Sequence, residues 1–227
     1  MLSTKDVADS QGGGQAKTIT PGKNTLKINS INLKRYPFMD SDEGYFLLLN
    51  TETKPIEGFE GFLKNPDDES KGRYDGQIGT VKTNRYYYKN GQTKSGIKIS
   101  RDMEILKQLK SLCRASGCID WFDEADGKYN TIEEFVTAFD TDKPFEDIWF
   151  NIIVAGKEFE RKTSSYVGYD LFFPKGKKGM TVIEAEGAKE SKLMTFNEDD
   201  HWTKLQPKVL DEGFDGGDTG KAPEFDL

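Results

Sequence analysis

The residues best suited to chemistry in this sequence form one run of positive charges and aromatic rings. Lys82, Arg85 and Lys89 surround the three consecutive tyrosines at positions 86–88. Cations attract phosphates, and flat rings stack on unpaired bases with about 1–3 kcal/mol per base. This pairing of residue types favours the binding of a single-stranded nucleic acid over a catalytic reaction.

Residues 78–89 (IGTVKTNRYYYK) must form the element that positions these side chains. β-branched and aromatic residues predominate there, so we predict one continuous strand. Alternation along that strand turns Lys82, Tyr86 and Tyr88 to solvent and Tyr87 to the core. An outward tyrosine can also serve as a cross-strand packing partner, so that structural role stays open beside base stacking.

A returning strand is predicted directly after this one. Asn90-Gly91 is a strong signal for a two-residue hairpin turn. Residues 93–99 then carry Lys94 and Lys98 on one face of the second strand. We predict that this basic aromatic hairpin, from Lys82 to Lys98, contacts nucleic acid. Lysines on a sheet also serve solubility alone, so a merely solvated face is the alternative interpretation.

Charge is distributed unevenly along the chain. The net charge of -7 would by itself argue against a nucleic-acid binder. Between Lys71 and Arg114, however, eleven basic residues accompany three acidic ones, a local charge of +8. From Asp211 to Leu227, six acidic residues accompany one lysine, a local charge of -5. The acidic total therefore conceals a basic segment that can attract phosphates.

The two ends of the chain have the composition of unfolded segments. Residues 1–20 contain Gly12-Gly13-Gly14 and are predicted to be a flexible arm, and residues 209–227 a disordered acidic tail. The tail can compete with nucleic acid for the basic hairpin, or it can be a solvating terminus. Its last four residues combine charge with an apolar end, which suits docking on a partner protein: Glu224, Phe225, Asp226 and Leu227.

Further cations and rings are weaker candidates for the same surface. Arg35 and Tyr36 follow the first predicted strand and are included in the predicted binding site. Arg161, Lys162 and the run 175–178 (KGKK) could extend an electrostatic track. For Phe172 and Phe173, a place in the core is at least as good an interpretation as base stacking.

The predicted elements are about seven short strands and two helices. Ser100 can cap one helix that ends near Gly117, and Thr131 can begin a second helix with a capping box. This order predicts an α+β, mainly β fold, an OB-like small β-barrel with a helical insertion at about 100–145 in a single domain over 21–208. A β-sandwich with a helical insertion fits almost as well.

The remaining residues give little support to catalysis or to a metal site. His201 is the single histidine, and Cys113 and Cys118 lack zinc or redox spacing. Residues 120–127 (DWFDEADG) resemble a calcium loop but lack its final glutamate. There is no glycine-rich phosphate loop and no GxSxG. We therefore predict a protein that is not an enzyme and needs no cofactor or metal.

The sequence also carries no signal for membrane or export. It contains no run of about 18 apolar residues, and its first residues lack the apolar core of a signal peptide. We therefore predict a cytoplasmic protein.

Four segments resemble the single-stranded DNA-binding proteins of large tailed bacteriophages, including crAss-like phages. The resemblance covers the middle third of the chain best, and its segments are PGKNTLKI at 21–28, GFEGFL at 58–63, GQIGTVKTNRYYYKNG at 76–91 and GIKISRDMEIL at 96–106. It implies an OB-fold protein that coats unwound DNA during replication and recombination in the bacterial host cytoplasm. This tail departs from the family pattern because glycines dilute it and it ends on Leu227.

The resemblance also implies roles for particular segments. The hairpin from Lys82 to Lys98 would face single-stranded DNA, and Glu224 to Leu227 would contact phage replication proteins. A homo-oligomer is compatible with this interpretation. The rival hypothesis is a phage structural or assembly protein, such as a capsid or tail component, whose binding would depend on neither salt nor strandedness.

Overall fold

The fold is of mixed α+β type, mainly β, in a computed structural model that describes residues 18–35, 44–57, 59, 61–65, 67–162 and 167–206. The first seven strands are β1 (Gly22–Arg35), β2 (Tyr45–Thr53), β3 (Phe62–Leu63), β4 (Arg73–Tyr74), β5 (Ile78–Lys82), β6 (Gly91–Gln92) and β7 (Lys98–Ile99). Helices α1 (Arg101–Ser116), α2 (Ile119–Glu124) and α3 (Ile132–Asp142) follow. The remaining elements are β8 (Trp149–Glu160), β9 (Val167–Phe172), β10 (Ile183–Ala185), α4 (Glu198–His201) and β11 (Trp202–Thr203).

Five strands of the main sheet pair in a closed ring. The order around the ring is β1, β2, β5, β9, β8 and back to β1. All pairs are antiparallel except β5 with β9, which are parallel and share two register pairs, Val81↔Leu171 and Lys82↔Phe172. We call this short parallel pairing the β5–β9 seam. Strands β10 and β11 extend the sheet by pairing with β8.

The core fills the inside of the ring and the space beneath α1 and α3. Leu26, Leu49 and Val81 are buried along the inner face of the ring. The helices contribute apolar stripes at the spacing expected of amphipathic helices. Those of α1 and α3 are Ile105, Leu109, Leu112 and Cys113, then Ile132, Phe135, Val136 and Phe139. Ring and helices share a single apolar cluster.

The local signals for the two longer helices are confirmed. The Ser100 hydroxyl accepts the amide of Met103, and Gly117 ends α1 in the left-handed region with a φ of 74°. Thr131 accepts the amide of Glu134 at the start of α3. The Glu134 carboxylate returns to the amide of Asn130 rather than to that of Thr131. Helix α2 was not predicted.

The predicted hairpin differs from the structure at its turn. Asn90-Gly91 is not the turn, because Gly91 begins β6 and the chain reverses over 93–96 instead. Gly96 supplies a φ of 86° there, and its amide donates to the carbonyl of Thr93. The Asn90 side chain accepts the amide of Arg101 at the start of α1. Strands β6 and β7 form their own two-stranded sheet.

Strand β2 has one buried and one partly exposed face. Tyr45, Leu47 and Leu49 are buried, whereas Phe46 and Leu48 lie on the partly exposed face. Strand β8 runs unbroken through Gly156 to Glu160. Among the described residues, no helix is both long and apolar enough to cross a membrane.

Candidate nucleic-acid interface

The tyrosine run leaves the sheet in an outward excursion rather than continuing as a strand. β5 ends at Lys82, and the amide of Thr83 donates to Leu47. Tyr88 then pairs in antiparallel fashion with Tyr45. The chain therefore takes five residue steps from Thr83 to Tyr88, whereas the opposing stretch of β2, from Leu47 to Tyr45, takes two. We call the extra segment, residues 84–87, the 84–87 bulge.

The 84–87 bulge reverses the predicted direction of Tyr88. Three extra residues change the inward–outward phase, since side chains alternate at every step of a strand. Tyr88 is consequently buried, with 6% of its surface exposed, and its hydroxyl lies 2.8 Å from that of buried Thr83. Burial raises the pKa of Tyr88 to about 12. The prediction that Tyr88 faces solvent is therefore wrong.

Arg85 and Tyr86 are an exposed cation and an exposed ring side by side in the tyrosine run. Tyr86 is 66% exposed, in accordance with its predicted outward direction. The Arg85 guanidinium lies 5.6 Å from the centre of the Tyr86 ring and 5.5 Å from that of Phe172. Arg85 has no ion-pair partner among the described residues, so its charge is available to an anion.

Tyr87, which was predicted to point into the core, is half-buried against the outer side of β2. Its ring meets that of Phe46 edge to face, with centres 6.2 Å apart, and Lys89 lies 5.7 Å from its centre. Gly44 makes room for this ring, because a Cβ there would lie 2.4 Å from Cδ2 of Tyr87. The bulge thus places a second ring and a second cation on the outer side of the sheet.

Lys82 lies in the middle of this surface but is engaged with an acid across the β5–β9 seam. Its ammonium group is 2.7 and 2.8 Å from the two carboxylate oxygens of Asp170. It also lies 5.0 Å from the centre of the Phe46 ring. Only 15% of the Lys82 side chain is exposed, against 47% for Asp170. We call the whole set the outer aromatic surface: Phe46, Lys82, Arg85, Tyr86, Tyr87, Lys89, Asp170 and Phe172.

The far ends of β8 and β9 continue the same face of the sheet. Lys157 pairs in register with Asp170, and Phe159 pairs with Gly168. Register partners share a face, so Lys157 and Phe159 lie on the side of Asp170. Phe159 is 45% exposed. Arg161 and Lys162 follow and are exposed, and no described residue forms an ion pair with them.

The other predicted binding residues are not part of this surface or lie outside the residues that the structure describes. Lys94 and Lys98 are exposed on the β6–β7 hairpin, which has no pairing to the main sheet in the described chain. Tyr36 and the tail residues Glu224, Phe225, Asp226 and Leu227 lie outside the described residues.

Arg35 is part of a local network with α3. Its Nε donates to the hydroxyl of Tyr45 at 2.8 Å, and its guanidinium lies 3.5 Å from the Glu133 carboxylate. Tyr45 donates to Glu133, and this hydrogen bond lowers the pKa of the Glu133 carboxyl. Arg35 therefore links the end of β1 to α3, and Glu133 partly neutralises its charge.

The cysteines and the histidine, which could in principle serve a metal site or catalysis, make structural contacts instead. Cys113 is fully buried, and burial raises the pKa of its thiol well above the usual range; Cys113 and Cys118 are both free thiols. His201 accepts the amide of Asn197 at the start of α4, and burial lowers its pKa. Within the described ranges, no group of three His, Cys, Asp or Glu residues is placed to hold a metal ion.

Phe46, Tyr87 and Phe159 are the surface rings that sequence reasoning missed. A signal for Phe46 exists, because Asn50 and Glu52 continue its phase along β2 and identify that face as solvent-accessible. Nothing comparable was available for Tyr87, whose direction depends on the bulge.

Comparison with known proteins does not assign a family or a function to this surface. No protein-family model matches the sequence, and neither the curated proteins nor the solved structures contain a significant match.

Proposed function

We propose that the five-stranded ring is an OB-type arrangement. Three observations support this: the ring closes between its first and fourth strands, its single parallel pair joins the third and fifth, and α1–α3 lie between the third and fourth. In OB folds, oligonucleotides bind on the face of the second and third strands and on the loops after the first and fourth. Here that face belongs to β2 and β5, and the loop after β8 begins at Arg161.

We further propose that the protein is a non-enzymatic single-stranded DNA-binding protein of phage replication and recombination, acting in the bacterial cytoplasm. The observation that carries this proposal is the exposed ring of Tyr86 on the outer aromatic surface, beside Arg85, whose guanidinium forms no ion pair with any described residue. A strand crossing from the 84–87 bulge to the end of β8 would meet rings for its bases and cations for its phosphates. The acidic tail would compete for those cations and dock phage replication proteins when displaced.

The combination of rings and charges would favour single strands over a duplex. A duplex hides its base faces, so Tyr86, Tyr87 and Phe159 could offer it no stacking energy. The cations alone would attract either form, and that attraction weakens as salt is added. We therefore expect binding that is selective for single strands and sensitive to salt.

Fluorescence anisotropy with labelled oligo-dT and with a matching duplex, at two salt concentrations, tests this proposal. We expect Tyr86→Ala to weaken oligo-dT binding about 5- to 150-fold, the range of one lost stacking contact. Tyr86→Phe is the matched control, because it keeps the ring and should keep the affinity. Equal binding of duplex and single strand, or equal affinity of Tyr86→Ala and Tyr86→Phe, would contradict base stacking here.

The same experiment separates this proposal from a structural or assembly role. A capsid or tail component should bind neither form of DNA at low salt, even with residues 211–227 removed. That outcome would overturn the DNA-binding proposal.

A further inference from the structure

A cleft of about 860 Å³ opens beside the outer aromatic surface. It lies between α1, the 84–87 bulge and the segments that follow β9. Arg85, Tyr86 and Phe172 belong to both the cleft and the outer aromatic surface. Its volume is within the range of about 300–1,000 Å³ that small-molecule sites occupy. A nucleotide bound on the surface could therefore place its base in the cleft.

One wall of the cleft is a polar face of α1. Glu104, Gln108 and Ser111 line it at helical spacing, and Asn84 lines it from the bulge. The side chains of Asn84, Gln108 and Ser111 have no hydrogen-bond partner among the described residues, although Gln108 is only partly exposed. Glu104 accepts a hydrogen bond from Lys107 at 2.5 Å and retains further lone pairs. This wall can therefore both donate to and accept from a ligand.

The rim and floor of the cleft suit the rest of a nucleotide. Arg85 and Lys175 stand at the rim without an ion-pair partner in the described part of the chain, and they can face a phosphate. Tyr86 offers an exposed ring surface at the entrance, and Phe172, which is only 9% exposed, contributes to the lining. Buried Tyr88 contributes to the lining from within. Phosphate, base face and base edge would each meet a matching group.

We propose that this cleft is a nucleobase subsite that selects bases with an amino group at C4 of a pyrimidine or C6 of a purine, namely cytosine and adenine. An amide such as that of Gln108 pairs with the amino group and ring nitrogen of adenine, and a carboxylate such as that of Glu104 accepts from the amino group of cytosine. Thymine and uracil present a carbonyl at the same position, which the Glu104 carboxylate repels. This inference rests on the proposed function, because the strand must first bind the outer aromatic surface.

Oligo-dC and oligo-dU are the appropriate probes, because they differ at the base edge and both stack weakly on themselves. We expect the full chain to bind oligo-dC about 5-fold or more tightly than oligo-dU, the lower end of one specific base contact. Glu104→Gln should bring this ratio towards one, because it removes both the acceptor for the cytosine amino group and the charge that repels the uracil carbonyl. Thr141→Ala, an uncharged change on α3 outside the cleft, is the control. Circular dichroism melts verify that each variant folds.

The outcomes distinguish failure of the subsite from failure of the proposed function. A wild-type ratio near one, with both oligonucleotides bound, would overturn the subsite and leave the proposed function standing. A high ratio that Glu104→Gln retains would place the selectivity elsewhere and also overturn it. Binding of neither oligonucleotide would overturn the proposed function, and the subsite with it.

Discussion

Replacing Asp170 by asparagine should tighten DNA binding. The Asp170 carboxylate holds the Lys82 ammonium through both oxygens, at 2.7 and 2.8 Å, in the middle of the outer aromatic surface. The substitution removes a negative charge from the path of the strand and releases Lys82 to a phosphate. Because Asp170 is 47% exposed, loss of the ion pair should cost only about 0.2–1 kcal/mol of folding stability.

Counterion release sets the size of the effect. Each phosphate contact on a single strand adds about 0.7 to the slope of log affinity against log salt. One new contact from Lys82 therefore strengthens binding about 5-fold at 0.1 M salt and about 1.6-fold at 0.5 M salt. The gain should be largest where salt is lowest.

Anisotropy titrations of oligo-dT at about 0.1 and 0.5 M salt measure both quantities. Asp126→Asn is the matched control, because Asp126 is an exposed residue beyond α2 and its replacement changes the net charge equally. If Asp170→Asn and Asp126→Asn bind oligo-dT with equal affinity at low salt, Lys82 does not face the DNA and the reasoning fails.

Three further predictions follow from the same contacts. Tyr88→Phe removes the hydrogen bond of 2.8 Å between the Tyr88 and Thr83 hydroxyls and leaves Thr83 only its longer bond of 3.4 Å to the Leu47 carbonyl. Thermal unfolding should therefore show a loss of about 1 kcal/mol; weaker oligo-dT binding by the folded variant would return Tyr88 to the binding surface. Hydrogen bonding from Tyr45 lowers the pKa of Glu133 below its ordinary 4.5. The contribution of the ionised Glu133 to folding stability is therefore complete above pH 4.5 and is lost as the pH falls through the lowered pKa. The stability difference between wild type and Glu133→Gln in urea should be larger at pH 7 than at pH 3, and a constant difference would refute the linkage. Removal of residues 211–227 should tighten oligo-dT binding most at low salt, and an unchanged affinity would argue against competition by the tail.

The helix ends, which depend on short-range signals, were predicted well, although the equally local turn signal at Asn90-Gly91 was misleading. The cap at Ser100, the end of α1 at Gly117 and the start of α3 at Thr131 each depend on a few neighbouring residues, and all are confirmed. The apolar stripe of α1 is equally local, because it follows from helical spacing alone. The mixed, mainly β composition of the fold was also predictable from these elements and the strand runs.

Features that depend on pairing between distant segments were not predictable. The direction of Tyr88 depends on its backbone pairing with Tyr45, which forms only after three extra residues have been inserted relative to β2. The partial neutralisation of Lys82 by Asp170 joins residues on different strands of the ring. The hydrophobic pattern of one strand contains no information about either contact, and this is why the predicted directions of Tyr87 and Tyr88 were wrong.

The β5–β9 seam also bears on the order in which the chain folds. It joins Val81 to Leu171 across about 90 positions by only two register pairs, whereas β1 and β2 pair closely in sequence over nine. Contacts between distant positions form late, because the entropy of closing a long loop must first be overcome. We therefore expect the amides of the seam to exchange with solvent sooner than those of the β1–β2 pair. Since Lys82, Arg85 and Phe172 lie at or beside the seam, a partly folded chain would have its first hairpin before it has the outer aromatic surface.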